Sequence, residues 1–187
     1  MISFKNLYKK LFEEKNKEIT ILFGRLSPPT KGHEIMVKFA HNHAKKHKTD
    51  LTLYPSQTQD KKKNPLDIKT KVKYLKKFFP FIPVVVRPKL KTPFMIIDHL
   101  LEVQGYSKIY FIVGGDRKSE FTVIFKKYFE GKVLVVNSGG RTKGISATDL
   151  RNAAQEDDFD TFKKGLPSSA KIIDAQQLFK KVQSGLK

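Results

Sequence analysis

The segment Gly24-Arg25-Leu26-Ser27-Pro28-Pro29-Thr30-Lys31-Gly32-His33 concentrates groups that handle phosphate: a guanidinium, hydroxyls, an imidazole and two glycines. Thr30 suits the N-cap of a helix beginning at Lys31, because its side-chain oxygen can accept from first-turn N–H groups. The unpaired N–H groups of such a helix start attract anions. Gly24 and Gly32 carry no side chain, so a phosphate or a base can come close to the backbone there. His33 falls one turn in, facing the same space as Thr30. A bare Thr-x-Gly-His also fits a capped helix with an incidental surface histidine. Its place directly behind a β-type run, with Gly-Arg upstream, favours chemistry.

A second phosphate-handling segment is Arg141-Thr142-Lys143-Gly144-Ile145-Ser146-Ala147-Thr148-Asp149-Leu150-Arg151. Ser146 with Asp149 three residues on is a capping-box pattern, which by itself explains a well-started helix. The same helix start also offers N–H groups, two hydroxyls and the guanidinium of Arg151 to a polyphosphate.

Three further places carry candidate groups. Val113-Gly114-Gly115-Asp116-Arg117 ends the most strongly β-type run; Gly114 leaves room for a nucleotide, and Asp116 can accept from a ribose or base. Lys61-Lys62-Lys63 lies in a polar loop, where a solvated lysine run is the plain alternative. His41, His43 and His47 crowd one helix, but no neighbouring carboxylate or second motif supports a metal site.

The elements that must position these groups follow from periodicity. An amphipathic helix is predicted over 2–16, then β-runs at 19–25, 51–54, 82–87, 108–113 and 132–136. Helices are predicted between them at about 31–48, up to 79, 93–103 and 119–129, then from 146 onward, with a last one over 174–183 packed on the outside. Five β-runs alternating with helices predict an α/β chain: a Rossmann-like five-stranded parallel sheet with helices on both faces, plus N- and C-terminal helices. Such sheets bind ligands beyond the carboxyl ends of their strands, where both segments fall. The expected organisation is a helix over 1–17, a domain over 18–167 and a helical tail over 168–187.

The first segment resembles the (His/Thr)-x-Gly-His signature of the nucleotidyltransferase superfamily, with threonine at the variable position. The second resembles that superfamily's Ile-Ser-x-Thr-x-x-Arg signature. The order of the two and their separation by more than a hundred residues fit as well. Arg141-Thr142-Lys143-Gly144 is similar to a cytidylyltransferase run, whereas Ala147, Arg151 and Gly114-Gly115-Asp116 are closer to adenylyltransferases. The layout from Ile19 to Pro167 is similar to nucleotidyltransferase-like proteins of large tailed phages.

The resemblance implies transfer of AMP from ATP to a phosphorylated acceptor with release of pyrophosphate, nicotinamide mononucleotide being the first candidate acceptor. The alternatives are a CTP-dependent transfer to a phosphorylated alcohol or sugar, and a basic nucleic-acid-binding module on the same fold. It gives Thr30, His33 and Arg151 catalytic roles, and selects Lys62 or Lys63 for a phosphate contact, Lys63 being carried as the candidate. Gly24, Arg25, Gly32, Gly114, Asp116, Arg141, Ser146 and Thr148 become nucleotide-binding positions. Mg²⁺ is implied, held mainly by the nucleotide's own oxygens.

Composition is compatible with this reading. The 187 residues are 39% hydrophobic in separated runs, enough for a core, and none of those runs has the length of a membrane span. The absence of cysteine excludes disulfides and thiolate metal sites, and a cytoplasmic location is expected, that of the host if the chain is phage-encoded. A formal charge of +19 attracts polyanions in general, although a solvated basic face accounts for much of it.

Overall fold

The structure is a computed structural model that describes residues 17–139 and 145–187. The helix expected over 2–16 and Arg141 lie outside the described residues.

Strand β1 (Glu18–Gly24) is a β-branched, apolar run, and its central residues from Ile19 to Leu22 are buried. Helix α1 (Lys31–His47) follows, then β2 (Asp50–Pro55), α2 (Ile68–Phe78) and α3 (Pro93–Asp98), which continues as a π-helical turn over His99–Val103. Next come β3 (Lys108–Val113), a 3-10 turn (Gly115–Arg117), α4 (Lys118–Phe129) and β4 (Val133–Asn137). Helices α5 (Ala147–Gln155), α6 (Phe159–Gly165) and α7 (Ile172–Leu186) close the chain. All strand pairs are parallel, in the order β2-β1-β3-β4.

Period-2 alternation splits the core in two. On one face Leu22, Leu53 and Ile112 pack with Val37 and Ala40 of α1, Leu75 and Phe78 of α2, and apolar residues of α5, α6 and α7. On the other, Ile19, Ile21, Ile109 and Phe111 pack with Ile96 and Ile97 of α3 and Phe125 of α4. The sheet is therefore covered on both faces, as the alternating pattern predicts.

Two sequence expectations are corrected. Among the described residues the sheet has four strands, not five. The run over 82–87 meets β2 only through a single bridge at Leu53 and Val84, with Leu53 N donating to Pro83 O (2.8 Å) and Val85 N to Leu53 O (3.0 Å). Pro83 has no N–H to extend that pairing, and Pro80 and Pro88 bracket the run, so its apolar residues cannot extend into a ladder. Second, the C-terminal helix is not an external tail. Ala175, Leu178, Phe179 and Val182 of α7 are buried in the main core, and Asp174 is buried in an ion pair with Lys77.

Glycines set two close approaches. A Cβ at Gly185 in α7 would lie 2.1 Å from Pro65 O, so the helix backbone sits directly against the loop after β2. A Cβ at Gly165 would lie 2.6 Å from Leu150 Cδ2 and 2.7 Å from Ile145 Cγ2. Glycine there lets α6 close on the residue immediately before Ser146, which fixes where α5 begins. Among the described residues, no helix is long and apolar enough to cross a membrane.

Candidate functional site

The chain runs from β1 to β2 on one side of the sheet, then crosses back past β1 to β3 and on to β4. The strand order reverses between β1 and β3, and the crevice beyond their carboxyl ends is where open α/β sheets hold ligands. Gly24 ends β1 at this crevice, and Gly114-Gly115 follows β3.

The loop from β1 to α1 is tightly determined. Leu26 has φ 47°, a left-handed conformation unfavourable for leucine, and is held there by complete burial of its side chain. The Ser27–Pro28 peptide is cis. Ser27 Oγ accepts from Leu66 N (3.2 Å), and Gly24 O accepts from Ser56 N (2.7 Å), tying this loop to the one after β2.

Thr30 and His33 form one unit. Thr30 Oγ1 accepts from His33 N (3.3 Å), and Thr30 N donates back to His33 Nδ1 (3.1 Å). The histidine thus occupies the place that glutamate takes in an ordinary capping box. Because Nδ1 accepts a backbone N–H, the neutral ring carries its proton on Nε2. Burial lowers the imidazole pKa to about 4, so the ring is neutral at pH 7 and presents Nε2–H as a donor. Among the described residues the ring's hydrogen bonds are all made at Nδ1, and the residue is half-buried.

The second loop meets the first through Arg151. Its Nη1 donates to Ser27 O (3.2 Å) and its Nη2 to Thr148 Oγ1 (3.0 Å). Ser146 caps α5, Oγ accepting from Asp149 N (3.2 Å) while Asp149 accepts from Ser146 N (2.7 Å). Burial, and Arg25 nearby, lower the Arg151 pKa, while Asp60 opposes them. Arg25, Asp60 and Arg151 therefore share one local field.

The other sequence candidates fall as follows. Arg25 is exposed at the mouth of the first loop, and Gly32 is exposed in the first turn of α1. A Cβ at Gly32 would meet only Thr30 Oγ1, at 3.6 Å, so no described protein atom demands a glycine there. Gly114 precedes the 3-10 turn that contains Asp116, and Gly115 N donates to Gly139 O (3.0 Å), joining the ends of β3 and β4. Lys63 is exposed on a tight turn whose N–H groups at Lys62 and Lys63 donate to Asp60 Oδ1 (2.9 and 2.6 Å); no hydrogen bond joins its side chain to Thr30, His33 or Arg151. His43 Nδ1 lies 3.1 Å from Thr20 Oγ1, and its ring stacks on His47 with centroids 4.3 Å apart. No three His, Asp or Glu side chains converge as a metal set among the described residues.

Lys71 was not singled out from the sequence. It is fully buried, and its Nζ donates to Ser56 O and Thr58 O (2.8 Å each). Burial lowers its pKa to about 8, while Asp60 and Asp67 pull it back up. Lys71 lies on one helical face with Tyr74, Leu75 and Phe78, all buried, so a lysine within that apolar stripe was the available signal. Glu34, next to His33, was also missed. It accepts from Ser168 N (2.8 Å) and pairs with Lys38 (2.7 Å), tying α1 to the segment before α7.

A four-stranded parallel α/β sheet, with two capped helix starts joined by an arginine beyond its strand ends, is the architecture that these observations define. No protein-family model matches the chain, and no curated protein does. Among solved structures, the chain is similar to a Vibrio parahaemolyticus protein provisionally named a nicotinate-nucleotide adenylyltransferase. The TM-score is 0.64 at 21% identity, over 90% of this chain and 99% of that one, a likeness of fold.

Proposed function

We propose that the chain is a nucleotidyltransferase that moves AMP from ATP to a phosphorylated acceptor and releases pyrophosphate. Nicotinamide mononucleotide is the first acceptor to test, with nicotinate mononucleotide beside it because of the named structural neighbour. The observation that carries the reading is the bond from Arg151 to Ser27 O, which brings the second phosphate-handling loop onto the first.

In the proposed reaction an ionised oxygen of the acceptor phosphate attacks the α-phosphorus of ATP. An O–P bond forms as the bond from the α-phosphorus to the β-phosphate bridging oxygen breaks, and that oxygen leaves with pyrophosphate. The nucleophile is already an anion at neutral pH, so no general base is needed. Positioning and charge stabilisation supply the rate. His33 Nε2–H donates to an α-phosphate oxygen as its charge grows, while Thr30 holds the imidazole in that tautomer. Ser146, Thr148, Arg151 and the N-terminus of α5 receive the β- and γ-phosphates, with Arg25 adding positive charge at the mouth. An exposed Gly32 that no described protein contact requires leaves the α1 N-terminus open to a phosphate. The side chains around the loops are mostly hydroxyls and cations, so Mg²⁺ would ride on phosphate oxygens.

The test is pyrophosphate release with ATP or CTP against a set of phosphorylated acceptors. Release that requires both ATP and one acceptor class is expected; release with CTP alone transfers the assignment to a cytidylyltransferase, and no release with either sinks it. Arg151→Ala is expected to weaken ATP binding about tenfold or more, since charge-assisted contacts are worth about 1.5–3 kcal/mol each. Unchanged ATP affinity in a calorimetric titration would remove Arg151 from the phosphate site.

A further inference from the structure

Helix α1 has 17 residues, so its carboxyl end lies roughly 25 Å from the Thr30–His33 unit. There the last turns of α1, the first half of β2 and the segment after α2 enclose an open groove of about 590 Å³. That is within the range of about 300–1,000 Å³ typical of small-ligand sites. Its lining includes His41, Lys45, Lys48, Asp50, Phe81 and Tyr106, none of which belongs to the two loops.

The lining chemistry is uneven. Among the described lining residues Asp50 is the one carboxylate, and it is already engaged, accepting from Tyr106 OH (2.6 Å) with Lys17 Nζ at 3.4 Å. Lys45 and Lys48 are exposed, and neither pairs with a described carboxylate. Phe81 is 37% exposed, its ring held by His41 edge-on at 5.1 Å and by Phe79 at 6.5 Å. The carboxyl end of α1 opposes an anion by about 0.3–1 kcal/mol, and Lys45, Lys46 and Lys48 crowd that same end against it. An aromatic platform beside two ammonium groups that pair with no described carboxylate matches a base and its flanking phosphates.

We propose that this groove binds single-stranded nucleic acid, a base stacking on Phe81 with neighbouring phosphates at Lys45 and Lys48. A polymer suits the surface better than a mononucleotide, because the formal charge of +19 acts on every phosphate of a long polyanion and gains from counterion release. Duplex DNA is a poorer partner because its bases are already stacked.

Fluorescence anisotropy of a labelled oligothymidylate with the full chain tests this. Wild type binds, and Phe81→Ala weakens binding about tenfold, the loss of one stacked base. Lys45→Gln with Lys48→Gln lowers the salt slope by about 1.4, two phosphate contacts at about 0.7 each. The exposed pair Lys126→Gln with Lys127→Gln, on α4, is the control of equal charge and leaves affinity near wild type. The groove is ruled out by any of four results: no binding by wild type, undiminished binding by Phe81→Ala, equal weakening by the α4 pair, or equal affinity for a duplex or polyglutamate. Thermal melts establish that each variant folds. Pyrophosphate release by the groove variants stays at the wild-type level, so this site and the transfer site can fail separately.

Discussion

Replacing His33 by alanine is expected to lower turnover at least about a hundredfold while leaving ATP affinity within a few fold, the signature of losing one transition-state donor. The argument rests on the tautomer. Thr30 N–H occupies Nδ1, so the neutral ring holds its proton on Nε2, and burial keeps the ring neutral by lowering its pKa to about 4. A neutral donor needs no titration to act, so turnover between about pH 5 and pH 8 should show no step belonging to this histidine. Stability moves between about pH 4 and 6.5 with a definite sign. The folded value lies below the ordinary value of 6.5, so the unfolded chain binds more protons between them. His33 therefore contributes fully above pH 6.5, and its contribution falls as pH drops towards 4, by a few kcal/mol at most. Steady-state pyrophosphate release and urea titrations on wild type and His33→Ala check both halves. Wild-type turnover in the variant, or the same acid sensitivity in both proteins, would remove the histidine from its place.

Much of this site was legible in the sequence because it is local. Thr30 with His33, and Ser146 with Asp149, are pairs three residues apart whose hydrogen bonds follow from helix geometry, and both capping arrangements form. Strand β3 and helix α1 were legible for a similar reason, since period and punctuation agree along each. What failed was non-local. The apolar run at 82–87 has the composition of a strand, but pairing depends on donors, and prolines within and on either side of it limit the contact to one bridge. The C-terminal helix showed an amphipathic pattern without showing what its apolar face meets, and Gly185 against Pro65 is a contact across 120 residues. The Arg151 bond to Ser27 crosses 124 residues and depends on a left-handed Leu26 that no local pattern announces. Arg141 and the helix predicted over 2–16 lie outside the described residues.

Substituting Lys71 by methionine is expected to change stability little at neutral pH and to destabilise the fold relative to wild type at alkaline pH. Methionine fills similar volume but leaves Ser56 O without the ammonium, a cost of about 1–3 kcal/mol for a buried acceptor, while Thr58 O keeps Asn64 Nδ2. Against that cost, the variant no longer holds a desolvated charge. The fall of the Lys71 pKa from 10.5 to about 8 means that its charging opposes folding by at most about 3 kcal/mol at pH 7. The two effects are of similar size and opposite sign, so they largely cancel near neutrality. Above pH 8 they separate. The native lysine gives up its proton before the unfolded one does, so wild-type stability rises with pH through this group up to about 10.5. The neutral amine still has two N–H groups, one for Ser56 O and one for Thr58 O, so deprotonation need not open the loop. The difference between wild type and Lys71→Met should therefore widen by up to about 3 kcal/mol between pH 7 and 10.5, with other alkaline titrations cancelling in the comparison. Urea unfolding of both proteins across that range measures it. A gap that stays constant or narrows would mean that Lys71 keeps its charge in the fold, and that the ammonium itself holds the loop after β2 against Gly24.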